Sequence, residues 1–379
     1  MLNGFVSEKK EKFVNDFRAL DEEMFIINRD IIISKMSKKR PNLSLVEGSK
    51  FKILDKEYNK LRRQLPIRSL LDQIFDFVLE IKPVFLMSPL SVSTYLTSTL
   101  NLFDCVIFDE ASQIFASDAL GSIYRGKQCI IIGDTKQMPP SNFFMASVES
   151  EEDDREYDLE SILDKATQVF PTTSLKWHYR SRSEELITFS NHSFYNDGLI
   201  TIPQALTHSK GFGVDFYYFP DGKYDMATRT NPYEAQKICK MVFEHYKESS
   251  RSLGVVAFSN VQADLISSLV DKELKKHPEL MKYFDGSTDE PFFVKNLETV
   301  QGDERDRIIF SICYAYNSEG KFYQRFGPLN NSGGERRLNV AVTRAKYNIS
   351  IVSSIRYTDI KTTTNSKGAL LLRDYLEFA

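Results

Sequence analysis

From Pro83 to Ala379, short runs of apolar and β-branched residues alternate with stretches that have helical spacing. Such runs are typical of strands whose two faces are both buried, and their alternation with helices predicts a parallel sheet covered by helices. The predicted strands are 84–87, 105–108, 129–132, 174–177, 253–257, 297–300, 307–313 and 348–352. We therefore predict an α/β protein whose active groups follow the carboxyl ends of its strands.

Residues 1–82 have a different pattern. Their apolar residues recur at helical spacing, first from Phe13 to Ile27 and again from Leu70 to Leu79. We predict a helical segment at 1–82, a partial first sheet domain at 83–170 and a second sheet domain at 171–379. The acidic run 149–160 is predicted to be an exposed loop, because like charges repel one another, with a short helix at 159–169.

Composition and charge narrow the class of protein. The chain has 42% hydrophobic residues and a net charge of −3, which is ordinary for a globular protein and excludes disordered and collagen-like chains. No apolar run reaches the ~18 residues that a membrane span needs, and Met1 is not followed by the apolar core of a secretory signal. We expect a cytoplasmic protein without a membrane partner. The four separated cysteines predict buried thiols, not a disulfide framework or a zinc site.

Basic residues are concentrated in one stretch. Between Ile31 and Leu70 there are eleven basic residues and three acidic ones. This stretch is either a contact for nucleic acid or the solvated face of a helix, since long solvated helices are often rich in lysine.

Two adjacent carboxylates, Asp109 and Glu110, follow the apolar run that ends at Phe108. One carboxylate of such a pair can hold Mg²⁺ while the other polarises an attacking water, which is the chemistry of a nucleotide hydrolase. A strand followed by the acidic N-terminus of a helix has the same pattern. The pair alone leaves both interpretations open.

A second polar cluster follows the apolar run 129–132. Gly133 permits a sharp turn, and Gln137 is suited to contact a terminal phosphate or a water. A surface turn also favours Gly-Asp-Thr. The position of this cluster, one strand after the acidic pair, favours the functional interpretation.

Two further clusters are basic. Arg180 lies in the segment 178–182 and Arg344 in the segment 335–346. Arginines beside a phosphate stabilise the charge that spreads over its oxygens during transfer, although an isolated arginine cluster is more often a solvated face. Between them, the polar loop that contains Gly302 is suited to contact phosphates and ribose.

Five segments, taken in order, resemble the later motifs of superfamily 1 helicases. They are 109–112, 133–140, 178–181, 299–304 and 337–345. The resemblance covers about 83–379 and points to the branch of the RNA-surveillance helicases, in particular to large bacterial helicase-like proteins that often carry an endonuclease domain. It implies two RecA-like domains, with ATP and Mg²⁺ between them and single-stranded DNA or RNA across their top. Residues 1–82 are similar to the segment that those bacterial proteins place between their early and middle motifs.

The resemblance implies three groups of site residues. The catalytic group is Glu110, Gln137, Arg180 and Arg344. The nucleotide-binding group is Asp109, which also serves Mg²⁺, with Gly302 and Glu304. The group that faces the nucleic acid is Ser88 and Thr299.

The sequence departs from the family pattern at the P-loop. The pattern G-x-x-x-x-G-K-[ST] cradles phosphates with backbone amides, and it does not occur in these 379 residues. The nearest similarity, Gly48-Ser49-Lys50, lacks the first glycine and follows no apolar strand. We therefore expect a fragment, a split gene product or a degenerate paralogue, which uses ATP and Mg²⁺ only when a P-loop is supplied. The expected partners are single-stranded DNA or RNA and a P-loop segment or nuclease domain of the same parent protein.

Two functions stand at this point. The first is the motor portion of an ATP-dependent helicase or translocase, which the acidic pair, the glutamine and the two arginines favour. The second is a non-hydrolysing module that binds nucleic acid or another protein, which the absence of the P-loop pattern favours. Whether the chain acts alone as an enzyme is open between them.

Overall fold

The structure, a computed structural model, describes residues 7–140, 161–203, 211–331 and 333–379. The predicted acidic loop at 149–160 lies outside the described residues. The chain forms two compact units. Unit 1 contains Met1–Ile107 and Ser117–Ile130, and unit 2 contains Phe108–Ala116 and Ile131–Ala379. The domain boundaries expected at residues 82 and 170 stay a prediction.

Unit 1 is mainly helical. Its helices are α1 (Ser7–Lys38), α2 (Lys50–Tyr58), α3 (Ile67–Ile81), α4 (Pro89–Tyr95) and α5 (Ala116–Ile123). The first three agree with the helical segment expected at 1–82. Helix α3 has one apolar face, which buries Ile74 and Phe77, and the Phe77 ring packs 6.3 Å from that of Phe51 on α2. Along α1, the side chains from residue 9 onward are exposed except that of Met36.

A two-stranded sheet consists of β1 (Phe103–Phe108) and β2 (Gly126–Ile131). Phe103 N–H donates to Arg125 O at one end, and Ile132 N–H donates to Phe108 O at the other, both at 2.8 Å. The two strands therefore run in the same direction. They contain most of the strands predicted at 105–108 and 129–132, whereas the strand predicted at 84–87 does not form and that segment leads into α4.

Unit 2 contains a five-stranded parallel sheet. Its strands are β3 (Gly213–Tyr218), β4 (Leu253–Ala257), β5 (Phe293–Asn296), β6 (Arg305–Ser311) and β7 (Ala345–Ser353), in the order β3-β7-β6-β4-β5. Ala257 pairs with Asn296 and Ser311, and Ser311 pairs with Val352, so the strands end together. We call this side of the sheet the carboxyl edge and the opposite side the amino edge.

Helices cover both faces of this sheet. They are α7 (Glu185–Tyr195), α8 (Pro232–Glu248), α9 (Asn260–Leu274), α10 (Gly334–Val342) and α11 (Lys367–Phe378). A further helix, α6 (Ile162–Val169), packs instead near the turn after β1, where Ile162 N–H donates to Ile114 O. Successive residues of β6 enter different cores: Ile308 and Phe310 pack with α10 and α11, whereas Ile309 packs with α8 and α9. The predicted α/β class, with parallel sheets covered by helices, is confirmed.

Several strand predictions differ from the structure. Strand β4 has the predicted bounds, and β6 and β7 overlap the predicted runs. The strand predicted at 297–300 is wrong: β5 ends at Asn296, and Leu297 and Val300 are buried in the connection to β6. At 174–177 only Trp177 makes a single bridge, with Ile200. Strand β3 was not predicted, because this edge strand is only partly buried and contains Asp215.

Two further predictions concern cysteines and membranes. All four cysteines are free; Cys239 and Cys313 are buried, and Cys105 and Cys129 are half-buried. Among the helices that the structure describes, none combines the length and apolar character needed to cross a bilayer.

Candidate functional site

The chain turns sharply after β1, at Asp109 and Glu110. Glu110 has a left-handed backbone (φ 50°, ψ 40°), a conformation that costs a residue other than glycine about 1–3 kcal/mol. Its N–H donates to Asp109 Oδ1 at 3.0 Å, and the next residue, Ala111, donates its N–H to Ile132 O at 2.9 Å. Both carboxylates are exposed. Two exposed acids on a strained turn are a feature of functional sites, where such strain concentrates.

The loop 133–137, which follows β2, packs against this turn. A Cβ at Gly133 would lie 3.0 Å from Ala111 N, so glycine allows the close approach. Asp134 accepts hydrogen bonds from Lys136 N at 2.8 Å and from Gln137 Nε2 at 3.1 Å. The amide of Gln137 is thereby oriented, and within the described chain no donor reaches its Oε1.

Tyr195 and Asn339 fasten this loop to two helices. Tyr195, the last residue of α7, donates its hydroxyl to Asp134 Oδ2 at 2.6 Å. Asn339, fully buried in α10, donates its amide to Tyr195 Oη at 3.1 Å and to Lys136 O at 2.9 Å. Burial, together with the negative charge of Asp134, raises the pKa of Tyr195. Tyr195 is not among the site residues predicted from the sequence, since an aromatic residue at helical spacing normally indicates core packing.

Arg344 lies between α10 and β7 and is only 3% exposed. Its guanidinium donates to Val340 O at 2.7 Å and to Thr343 Oγ1 at 3.0 Å. Burial, and then repulsion from Arg180, lower its pKa to about 10, so it remains charged at neutral pH. No carboxylate of the described residues forms an ion pair with it. Arg344 is therefore a buried cation whose direct partners are neutral, which favours an anion beside it.

Arg180 is balanced differently. Its Nε lies 2.7 Å from Glu304 Oε2, and Lys346 lies 3.3 Å from the other carboxylate oxygen. Partial burial by itself would raise the pKa of Glu304, but Lys346 and Arg180 hold it below its ordinary value. Lys346 also pairs with Glu290. These four residues form a compact charge network next to Arg344.

The connection from β5 to β6 carries Thr299, Gln301 and Gly302. Gln301 Nε2 donates to Glu110 Oε2 at 3.0 Å, while its Oε1 is buried without a hydrogen-bond partner. Gly302 has a left-handed φ of +85° and open space around it. Thr299 is exposed, and its hydroxyl donates to Asn296 Oδ1 at 3.2 Å. Gln301 lies in one of the helicase-like motifs but is not among the predicted site residues, and its contact with Glu110 was not expected.

The predicted site residues lie at different edges of the sheets. Asp109 and Asp134 follow the carboxyl ends of β1 and β2, as expected. Glu304 and Arg344 instead directly precede β6 and β7, at the amino edge of the five-stranded sheet, so the general expectation is wrong for these two. The reason is that the chain crosses from one edge to the other after Thr299 and presents its charged residues before re-entering the sheet.

Two predicted features belong to unit 1. Ser88 is exposed and caps α4, accepting a hydrogen bond from Ser91 N at 3.2 Å. Ser49, in the segment that is similar to a P-loop, likewise caps α2, and Lys50 forms an ion pair with Asp76. No strand directly precedes Gly48. The segment 48–50 therefore serves as the start of a helix.

The residues of unit 2 fit a magnesium nucleotide. Among the described residues, no group of three or more His, Cys, Asp or Glu could hold a metal ion by itself. Mg²⁺ that binds together with a nucleotide needs only one or two carboxylates, because phosphates and waters complete its ligands. Exposed Asp109 meets that need, and the buried charge of Arg344 and the unbonded Gln137 Oε1 suit a phosphate and a water.

Comparison with known proteins gives consistent matches. Residues 159–356 match a protein family described as an AAA domain, and residues 18–143 match a second family with the same description. The chain is 36% identical over 320 residues to an uncharacterized ATP-dependent helicase of Mycoplasma pneumoniae, an alignment that covers 80% of this chain and 28% of that protein. It is 27% identical over 274 residues to the probable helicase senataxin of Mus musculus, covering 67% of this chain and 10% of that protein.

Solved structures give weaker similarity. The helicase of PRRSV has a TM-score of 0.32 at 14% identity, covering 65% of this chain and 34% of that chain. The arterivirus nonstructural protein 10 helicase in complex with DNA has a TM-score of 0.33 at 10% identity, covering 86% of this chain and 60% of that chain. The present chain spans less than a third of the length of the curated relatives described above.

Proposed function

The chain belongs to the superfamily 1 helicases with AAA domains, and on this premise we propose that it is part of an ATP-dependent motor that moves along single-stranded DNA or RNA. One observation carries the proposal. Arg344 is a buried cation without an ion-pair partner among the described residues. The negative charge of Glu110, an exposed carboxylate on a strained turn, stabilises the charged form of Arg344. An anionic substrate that is attacked by water needs both groups.

The proposed site divides the work of hydrolysis among its residues. Asp109 would hold Mg²⁺, which when bound would neutralise charge on the phosphates. Glu110 accepts the proton of the attacking water, and Gln137, oriented by Asp134, presents its free Oε1 to that water. Arg344 and Arg180 stabilise the transferred phosphoryl group.

Coupling to movement follows from how the loop 133–137 is held. Tyr195 ties Asp134 to the end of α7, and Asn339 ties the same loop to α10, which leads directly to Arg344. A change at the phosphate, felt by Gln137, therefore reaches two helices through hydrogen bonds of 2.6–3.1 Å. In this proposal, these helices carry the domain motion that advances the strand.

Nucleic acid binds, in this proposal, at Thr299 on the carboxyl edge and at Ser88 in unit 1. Both hydroxyls are exposed, and both cap or close a local turn, which fixes their direction. The basic stretch between Ile31 and Leu70 adds the sequence-independent attraction for phosphates that single-strand binding requires.

The alternative, a non-hydrolysing module that binds nucleic acid or protein, has one observation in its favour. The sequence contains no P-loop pattern, and Lys50, in the one similar segment, is committed to Asp76. Without the phosphate cradle, a chain of these residues lacks much of the binding and positioning energy that hydrolysis needs.

ATP turnover by two chains separates the two functions. We expect the 379-residue chain to hydrolyse ATP near background, with or without single strands. A longer chain that carries a P-loop should show Mg²⁺-dependent hydrolysis stimulated by single-stranded DNA or RNA. Glu110→Gln should abolish that hydrolysis, whereas Glu244→Gln, at an exposed position on α8, should leave it unchanged. If the longer chain binds strands yet never hydrolyses ATP, the module is the correct function.

A further inference from the structure

A surface cleft of about 530 Å³ lies at the carboxyl edge of the five-stranded sheet. Its walls come from 316–325, which follows β6, and from 359–364, which follows β7. Open parallel sheets bind ligands outside the carboxyl ends of their strands, where the loops of neighbouring strands form a crevice. None of the site residues discussed above lines this cleft. It is therefore a separate candidate for binding.

Aromatic rings form one part of the cleft. Tyr323 is 46% exposed, so the ring is available to a ligand. Tyr316 and Phe322 also line the cleft, with their ring centroids 5.4 Å apart, and the Tyr316 hydroxyl donates to Asp359 Oδ1 at 2.8 Å. The cleft thus has a fixed aromatic floor with one ring free to stack.

The polar groups of the cleft are incompletely partnered. Neither Arg325 nor Lys361 makes an ion pair with any residue that the structure describes. The one acid of the cleft, Asp359, is occupied by Tyr316 and by the N–H of Arg356 at 2.8 Å. Gln324 has a buried side-chain oxygen that accepts no hydrogen bond. A ligand with a phosphate would pair with the two exposed cations.

The loop that carries these residues is held in place before any ligand binds. Asn317 is buried, and its Oδ1 accepts from Lys321 N at 2.8 Å and from Glu319 N at 3.1 Å. Its own N–H donates to Lys321 O at 2.9 Å, which closes the turn. Binding therefore costs little ordering of this loop.

We propose that this cleft binds one nucleotide unit of a single-stranded nucleic acid, with the base stacked on Tyr323 and the phosphate between Arg325 and Lys361. Aromatic rings flanked by cations hold single strands with little regard to sequence. The inference rests on the proposed function, in which a single-stranded nucleic acid is the substrate of the motor.

The position of the cleft favours the binding of a single-stranded nucleic acid over the binding of a free nucleotide. Thr299, the residue expected to face nucleic acid, follows β5 at the same carboxyl edge. In the sheet, β6 and β7 are two and three strands away from β5. At ~4.8 Å per strand, the cleft therefore lies about 10–15 Å from the end of β5, measured along the carboxyl edge. Arg344 is at the amino edge, so a strand in the cleft leaves the proposed ATP site free.

Photo-crosslinking and anisotropy on the whole chain test the inference. A fluorescent oligodeoxythymidine that contains 5-iodouracil should label Tyr323 on irradiation, as mapped by mass spectrometry.

Tyr323→Ala should weaken binding at least about fivefold, a low estimate for the loss of one stacked base, whereas Tyr323→Phe should keep the affinity. The double variant R325A/K361A should lower the slope of log affinity against log salt by about two. Lys240→Ala, an exposed lysine on α8, is the matched control and should change nothing.

The outcomes separate this inference from the proposed function. If all variants bind as tightly as the unaltered chain and Tyr323 is not labelled, the cleft assignment is wrong while strand binding stands. If the unaltered chain binds no single strand at low salt, both the cleft assignment and the proposed strand binding fail. Labelling of Tyr323 by 5-iodo-deoxyuridine monophosphate but not by the oligonucleotide would make the cleft a mononucleotide site and overturn the proposal. Thermal melting of each variant checks that the fold is kept, as expected for exposed side chains.

Discussion

Arg344 and Arg180 carry the same charge in different settings. Arg180 is paired with Glu304, so part of its charge is already neutralised. Arg344 is nearly fully buried, and its direct partners are a carbonyl and a hydroxyl. A group that is not yet neutralised gains most when negative charge develops, so Arg344 is the better candidate for stabilising a transition state.

In a longer chain that carries a P-loop, Arg344→Ala should lower kcat by at least ~10²-fold and change the KM for ATP much less. A contact made equally in the ground state and the transition state would not raise turnover, so the effect should appear in kcat. Arg344→Lys should also be impaired, because lysine lacks the planar fork of guanidinium donors. Steady-state kinetics of the three chains give the answer. A preserved kcat with a raised KM would make Arg344 a ground-state binder and transfer this role to Arg180.

Glu234 is a buried acid outside the proposed site. It is fully buried on α8, and its carboxylate accepts from Ser311 Oγ at 2.6 Å and from Cys313 N at 2.7 Å. Burial raises its pKa from 4.5 to about 7, although these hydrogen bonds act in the opposite direction. Between pH 4.5 and about pH 7, Glu234 therefore keeps its proton in the native state and has lost it in the unfolded state.

This difference predicts that Glu234 makes the protein less stable as pH rises from about 4.5 to about 7. The loss is roughly 3 kcal/mol, since each pKa unit is worth about 1.4 kcal/mol. Glu234→Gln cannot ionise, so its free energy of unfolding relative to the unaltered chain should rise across that range and then level off. Urea unfolding from pH 5 to pH 8 measures it, with Glu244→Gln as an exposed control on the same helix. A difference that does not vary with pH would contradict the prediction.

At the scale of elements, the loop 133–137 matters because α7 and α10 hold it. The Tyr195 hydroxyl is both donor and acceptor in this contact, linking Asp134 to Asn339. Helix α10 also holds the loop directly, through Asn339 and Lys136 O, but Asp134, which orients the Gln137 amide, is linked to α7 by the Tyr195 hydroxyl.

Tyr195→Phe removes that hydroxyl and leaves the ring. We expect the free energy of unfolding to fall by about 1–3 kcal/mol, because buried Asn339 loses an acceptor. In a chain with a P-loop, kcat should fall while the KM for ATP stays nearly constant, since Tyr195 positions Gln137 without touching substrate. Tyr58→Phe, at an exposed site on α2, serves as the control. Loss of stability without any change in kcat would limit Tyr195 to a structural role.

The elements also show what the sequence could predict. Strand β4, Leu253–Ala257, is apolar at every position and fully buried, so its run gave the correct bounds. Strands β3 and β5 were missed or displaced, and both lie at the edges of the sheet, where partial burial permits polar residues such as Asp215 and Lys295. The apolar run 297–300 is buried as a connection and not as a strand.

The candidate site was predictable to a similar degree. The motifs gave the charged residues, whereas Tyr195 and the contact between Gln301 and Glu110 depend on how distant segments pack and left no local signal.

At the scale of the whole molecule, the distribution of charge decides how the chain meets nucleic acid. The net charge is −3, yet the stretch from Ile31 to Leu70 has eleven basic residues and three acidic ones. Three of these lysines are in ion pairs with carboxylates: Lys50, Lys52 and Lys60. The other eight basic residues, including Arg62 and Arg63, are all exposed and can attract phosphates.

We therefore expect the chain to bind single-stranded DNA or RNA weakly, with an affinity that falls steeply as salt rises, because bound counterions are released. Fluorescence anisotropy at low and moderate salt measures this. The double variant R62A/R63A should reduce the salt slope by about two, and Lys240→Ala should not. An absence of binding at low salt would mean that the basic stretch is only the solvated face of its helices.

The two edges of the five-stranded sheet have a mechanical consequence. Strand β6 has seven residues and so spans about 20 Å, with Glu304 just before one end and the loop of the aromatic cleft beyond the other. It is flanked by β4 and β7, and its centre is fully buried, so it can neither stretch nor bend far without breaking hydrogen bonds on both sides. Strand β6 is therefore a rigid element that connects the two edges of the sheet. In the proposed motor, a displacement at the end of β6 that is proposed to face ATP would arrive almost undiminished at the end where the nucleic acid is proposed to lie. The step of such a motor would then be set by the rotation of a rigid body and not by elastic strain within it.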